Sequence, residues 1–97
     1  MNYELVLRSK ARLDIVHGDT WYQRKSIGLG DRFLLELQRC FEQIGSNPSG
    51  FRNIHGEFRQ AQVNVFPYVV IFRVVNETVV VMRVFHTGQH PHKKFRI

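Results

Sequence analysis

The stretch FPYVVIFRVVNETVVVMRVFH, residues 66–86, settles which kind of fold the chain can adopt. Two β-branched and aromatic runs, Val69–Val75 and Thr78–Phe85, flank the polar pair Asn76-Glu77, the pattern of a β-hairpin closed by a two-residue loop. With that loop Val75 faces Thr78, Arg73 faces Val80 and Val70 faces Arg83, so each face carries one arginine; a bulge would change this register. Pro67 cannot donate to a ladder and therefore begins a strand rather than sitting within one. Upstream, Arg59, Ala61, Val63 and Val65 alternate with Gln60, Gln62 and Asn64, which adds a half-buried strand.

Before residue 51 the hydrophobic period is different. Tyr3, Leu5 and Leu7 make a short alternating run within Asn2–Leu7, consistent with a strand. Ser9 then reads as an N-cap, and Ala11, Ile15, Gly18 and Tyr22 recur at helical spacing until about Lys25, where Gly28 and Gly30 break the helix. Phe33, Leu37, Cys40, Phe41 and Ile44 mark a second helix, with Asp31, Glu36, Arg39 and Glu42 expected on its outer side. Gly45 and the following Ser46-Asn47-Pro48 supply its stop. The order implies an α+β fold: an N-terminal strand, a helical hairpin and a three-stranded antiparallel β-meander, the helices packed on one face of the sheet. At 97 residues this is one domain, residues 1–97, with residues 87–97 expected to form a flexible basic tail.

Composition bounds the function. A lone Cys40 excludes an internal disulfide and a Cys-rich zinc pattern, which favours a reducing compartment; it falls on the apolar side of the second helix. The start of the chain shows no signal peptide or membrane span, so the cytoplasm is the expected location and no membrane partner is expected. The net charge of +6 is uneven: residues 1–50 carry seven Lys/Arg against six Asp/Glu, whereas residues 51–97 carry seven against Glu57 and Glu77 alone. The second half should therefore meet an acidic partner, either nucleic acid or an acidic protein segment.

The candidate site residues sit in this basic half. His86 ends a predicted strand, so its ring has a fixed origin, suited to proton transfer or to hydrogen bonding a phosphate. His90 and His92 flank Pro91, where no regular element would align them as metal ligands, so neither a metal nor another cofactor is expected; with Lys93 and Lys94 they read as a cationic extension. Arg59, Arg73 and Arg83 lie within strands among Val, Ile and Phe. Each either forms a structural pair or contributes to a basic surface that grips anions. Trp21 and Tyr22, adjacent on the first helix, must point in different directions: Tyr22 inward, Trp21 to a core edge or a partner.

Taken together, Ala11, Asp14-Ile15, Phe33, Asn47-Pro48, Arg59, FPYVVIFRV (66–74) and VFHTGQHP (84–91) resemble the RelE/ParE superfamily of type II toxin–antitoxin toxins, in particular its ParE-like, plasmid-stabilisation branch. The resemblance implies a small α+β toxin neutralised by an antitoxin whose acidic C-terminal segment wraps around it in a hetero-oligomer. ParE-like members are known as DNA gyrase inhibitors, and RelE-like members as ribosome-dependent mRNA endonucleases. The alternatives are thus a gyrase poison that does no chemistry, an mRNA endonuclease, or a non-toxic interaction module that keeps the fold. Arg59 and His86 match superfamily positions, and Arg83 joins them as the third catalytic candidate. Candidates for contact with antitoxin or target are Arg59, Arg73, Arg83, His86, His90, Lys93 and Lys94. Two departures stand out. No lysine occurs between Lys25 and Lys93, and Gln89-His90 stands where relatives often carry arginine.

Overall fold

The computed structural model describes residues 2–88, so His90, Lys93, Lys94 and most of the expected tail lie outside the described residues. The chain runs β1 (Glu4–Leu7), α1 (Ser9–Lys25), α2 (Leu29–Ser46), a short 3-10 turn (Pro48–Gly50), β2 (Arg52–His55), β3 (Phe58–Gln62), β4 (Tyr68–Val75) and β5 (Thr78–His86). The five strands form one sheet in the order β1-β5-β4-β3-β2. Strands β2 to β5 are antiparallel neighbours, whereas β1 lies parallel to β5, so the sheet is mixed. The meander has a fourth strand, β2, beyond the three expected. Only Ile54 of β2 is even half-buried, so this short polar edge strand carries no alternation to read.

Both helices pack on one face. Ala11 and Tyr22 of α1 and Phe33, Leu37, Cys40 and Ile44 of α2 close over Ala61, Val70, Phe72, Val79, Val81 and Val84 of the sheet. A smaller cluster, Val69, Ile71, Met82 and Phe85, occupies the other face. Val70, Phe72, Val79 and Val81 alternate as a half-buried strand requires, until the register between β4 and β5 shifts. Phe72 faces Val81 but Ile71 faces Arg83, so Met82 is the extra residue of a β-bulge. The expected pairs Val75 with Thr78 and Arg73 with Val80 are present; the expected pair Val70 with Arg83 is not, because the bulge brings Val84 opposite Val70. Beyond a bulge every side chain changes face. Val84 and His86 consequently join the helix side, and Arg83 shares the cross-strand side of Arg73 instead of the opposite one.

The helical hairpin turns more tightly than the sequence suggests. Ser9 is the first helical residue and Arg8 the cap, without a side-chain cap bond. Gly28, at φ 90°, takes the left-handed position between the helices. Gly30 does not break a helix but lies in the first turn of α2. The Gln23 side chain of α1 accepts the Gly28 and Gly30 amide hydrogens at 3.1 and 2.8 Å, satisfying two of the donors that a helix start leaves free. Glu36, expected on the outer face, is 4% exposed and accepts from Arg32 and Arg39, each at 3.2 Å, whose heads reach solvent. Gly45 likewise belongs to α2, and its carbonyl accepts the Tyr3 amide hydrogen at 2.8 Å, fixing the helix end to the start of β1; Asn47 caps it.

Strand β3 ends earlier than its alternation implies. Val65 stands 71% exposed at φ 74°, in a turn from 63 to 67 that the Gln62 amide holds by reaching the carbonyls of Val63, Phe66 and Tyr68. Pro67 falls directly before β4, as expected of a residue without an amide hydrogen. Cys40 is 4% exposed in the core, where burial pushes its thiol up to about 11. Among the described residues no helix is long and apolar enough to cross a membrane.

Two measurements check this packing. A Cβ at Gly30 would meet the Asp19 backbone carbonyl oxygen at 2.8 Å, so Gly30→Ala should cost about 1–3 kcal/mol in urea unfolding. At pH 8 a thiol shifted from 9.0 to about 11 holds roughly a hundredth of the usual thiolate, so iodoacetamide should alkylate native Cys40 at least about 100-fold more slowly than the urea-unfolded chain.

Candidate functional site

Strand β1 accompanies β5 only from Thr78 to Val81, and the Arg8 amide hydrogen closes that pairing on the Val81 carbonyl at 3.0 Å. Beyond Val81 the outer edge of β5 has no strand beside it, and α1 takes its place. Asp14, on the second turn of α1, accepts the Val84 amide hydrogen at 2.9 Å and both Arg83 Nε at 2.7 Å and Arg83 Nη2 at 2.9 Å. The two side chains are 15% and 18% exposed. This is a forked, charge-assisted pair in which the carboxylate also satisfies a strand-edge amide. The hydrogen bond from Arg83 to Asp14 raises the guanidinium further above its ordinary value, burial opposes that, and the carboxylate charge adds to it.

Arg59 and Arg73 are also engaged. Arg59 donates to the Phe51 carbonyl at 2.7 Å, linking β3 to the segment that enters β2. Arg73 donates to Glu57 at 2.9 Å across the sheet side away from the helices. The three arginines are thus distributed over the molecule rather than gathered.

His86 is placed differently. Paired with Tyr68 and turned to the helix side by the bulge, its ring meets Tyr68 edge-on at 5.1 Å and 90°. Its Nδ1 accepts the Gly88 amide hydrogen at 3.0 Å, which leaves the neutral ring its hydrogen on Nε2. Opposite stands one stripe of α1: Asp14, His17, Gly18 and Trp21, spaced three, one and three residues apart. Between the two lies a cleft of about 360 Å³ lined by His17, Gly18, Trp21, Tyr68 and His86. A smaller hollow of about 80 Å³, lined by Asp14, His17, Tyr68, Val84 and His86, adjoins it. None of Arg59, Arg73 and Arg83 lines either one.

At Gly18 the helix comes too close to the aromatic rings beneath it for a side chain to fit. A Cβ there would come within 2.9 Å of the Phe33 ring and 3.2 Å of the Tyr68 hydroxyl. Tyr68 belongs to an aromatic cluster with Tyr22, Phe33 and Phe66, and burial, with the charges of Tyr22 and Asp14, raises its phenol above the ordinary value, so it remains a neutral hydroxyl at physiological pH. Trp21 is 55% exposed, its ring edge-on to Tyr22 at 5.1 Å and 4.8 Å from the Lys25 ammonium. A larger hollow of about 450 Å³ opens beside β1 at Tyr3, but it offers no imidazole or cation. Among the described residues no three His, Cys, Asp or Glu side chains are arranged to hold a metal ion.

Of the expected site residues that are described, Arg59, Arg73, Arg83 and His86, only His86 lines this cleft. His17 and Tyr68 were missed. The spacing of Asp14, His17 and Trp21 on α1 could have shown that they share a face, but only the bulge places that face against His86.

A family model described as the ParE toxin of type II toxin–antitoxin system, parDE, matches residues 5–91. Comparison with curated protein sequences finds no match. Among solved structures, a chain of the chromosomal ParDE TA system from P. aeruginosa superposes with a TM-score of 0.79 at 12% identity, over 89% of this chain and 97% of that one. A chain of the RelBE2 toxin–antitoxin complex from Mycobacterium tuberculosis gives a TM-score of 0.58 at 16% identity, over 89% of this chain and 99% of that one. At these identities both likenesses are of fold.

The Asp14–Arg83 pair can be tested directly. Asp14→Ala strands a largely buried guanidinium and frees the Val84 amide, and should lower unfolding free energy by about 3 kcal/mol. The double variant Asp14→Leu, Arg83→Met should lose clearly less than the sum of the two single changes in a double-mutant cycle.

Proposed function

The chain belongs to the ParE toxin family of type II toxin–antitoxin systems, and from that premise we propose that it arrests growth by binding and inhibiting DNA gyrase in the cytoplasm, without catalysing a reaction. One observation carries the choice of binding over RNA cleavage. Metal-free cleavage of a phosphodiester needs cations gathered around the phosphate beside an acid and a base. Here Arg83 is held by Asp14, Arg59 by the Phe51 carbonyl and Arg73 by Glu57, and none of them faces the cleft that holds His86.

Neutralisation follows from charge. An antitoxin with an acidic, amphipathic C-terminal segment would meet a second half carrying seven Lys/Arg against two Asp/Glu, and would order as it binds. The exposed apolar side chains Leu13, Val16, Leu34 and Leu35 on the helical hairpin offer such a segment a surface for its apolar side. Both toxin-bearing complexes with this fold support a proteinaceous partner, and the electrostatic share of its association should weaken as salt rises.

Purified protein added to gyrase and relaxed plasmid should block supercoiling, and co-purified antitoxin should restore it. Full supercoiling at saturating toxin would remove gyrase as the target. Ribosome-dependent cleavage of mRNA, abolished by His86→Ala, would instead put the chain with the RelE-like endonucleases.

A further inference from the structure

The cleft between α1 and the end of β5 is built from more than the gyrase reading requires. We propose that it binds a nucleotide unit, the base lying against Trp21 and the phosphate held by His17 and His86. A cleft of about 360 Å³ falls within the roughly 300–1,000 Å³ of small-molecule sites, and like them it combines aromatic walls with a few convergent polar groups.

His17 and Trp21 are one helical turn apart and so stand on the same stripe of α1, while His86 faces them from β5. Gly18, between them in sequence, lets α1 sit close over the hydroxyl of Tyr68, which lines the cleft with them. Trp21 is an indole 55% exposed, with the Lys25 ammonium over its ring, and a nucleobase stacking there would take that ammonium's place on the π-surface. His86 offers Nε2–H, since Nδ1 is already occupied by the Gly88 amide.

The same geometry argues against a carboxylate as occupant. A carboxylate is best gripped by the planar fork of an arginine, but no arginine among the described residues lines the cleft, and the Nε–Nη2 fork of Arg83 is taken by Asp14. What the cleft presents are single N–H donors on two separate elements, which suit the tetrahedrally disposed oxygens of a phosphate. Asp14, the carboxylate of the adjoining hollow, has its charge balanced by Arg83 and by the Val84 amide, so it does not oppose an anion as a bare acid would.

Trp21 is the chain's single tryptophan, which makes it an unambiguous reporter. Titration of the full chain with adenosine 5′-monophosphate should quench its emission saturably, with adenosine or inorganic phosphate alone binding at least about tenfold more weakly. His17→Ala and His86→Ala should each weaken the nucleotide at least about tenfold while leaving adenosine unchanged. Trp21→Ala, followed by calorimetry, should weaken both. A 5′-phosphorylated dinucleotide that binds more tightly than the monophosphate would identify the unit as part of a single strand; equal affinity would identify a free nucleotide.

Absence of saturable quenching by either ligand up to about 5 mM, in protein with a native circular dichroism spectrum, would overturn the proposal. So would unchanged nucleotide affinity in both histidine variants, or binding of a tyrosyl-glutamate dipeptide in preference to the nucleotide. Gyrase inhibition scored on the same preparations is an independent result: nucleotide binding without inhibition leaves this site in place and removes the gyrase target.

Discussion

Everything on the helix side of the C-terminal hairpin depends on how Asp14 holds the bulged end of β5. One carboxylate takes two hydrogens from Arg83 and one from the Val84 backbone, from a helix that sits where the sheet has run out of strands. Without that grip the strand past Val81 would be an open edge with an unpaired amide, and the extra residue Met82 would have little reason to stay unpaired. With it, the face of the strand is reversed after the bulge. Val84 then completes the core beneath α1, and His86 stands opposite His17.

The same economy of charge runs through the fold. A basic chain could present its strand arginines as an anion-binding surface, yet Arg59, Arg73 and Arg83 each make a defined contact that ties distant segments together. The acidic residues show the counterpart: Asp14, Glu36 and Glu57 are all paired with arginines, and Glu36 is buried between two of them. Part of the chain's excess positive charge is thus structural. The cleft at Gly18 is lined instead by two imidazoles, a phenol and an indole, and none of these three arginines reaches it.

Much of the architecture was legible beforehand because it follows from periodicity. The helical recurrence of Phe33, Leu37, Cys40 and Ile44 found α2 and its buried face, and the Val-rich runs around Asn76-Glu77 found the β4–β5 hairpin and the start of its register. Legibility failed where a residue's role depended on a specific contact rather than on its own type or spacing. Glu36 read as outward from charge alone, and its burial rests on flanking Arg32 and Arg39; Gly30 read as a breaker, and its place in α2 rests on the Gln23 side chain and on close approach to Asp19. Strand β2 has no apolar pattern and exists because β3 offers it an edge.

Local sequence by itself determined the helical hairpin, the β-hairpin and the set of apolar side chains between them, since periods of 3.6 and 2 decide which residues can share a face. Only the tertiary structure decided the parallel docking of β1, the bulge at Met82 and hence the orientation of His86, because each depends on a contact between segments roughly seventy residues apart. A one-residue slip in register is invisible to composition and motif, yet it moves a histidine from one side of a sheet to the other. His86 was visible as a strand-end residue, but that it shares a cleft with His17, Tyr68 and Trp21 followed only from Asp14 holding α1 against that strand.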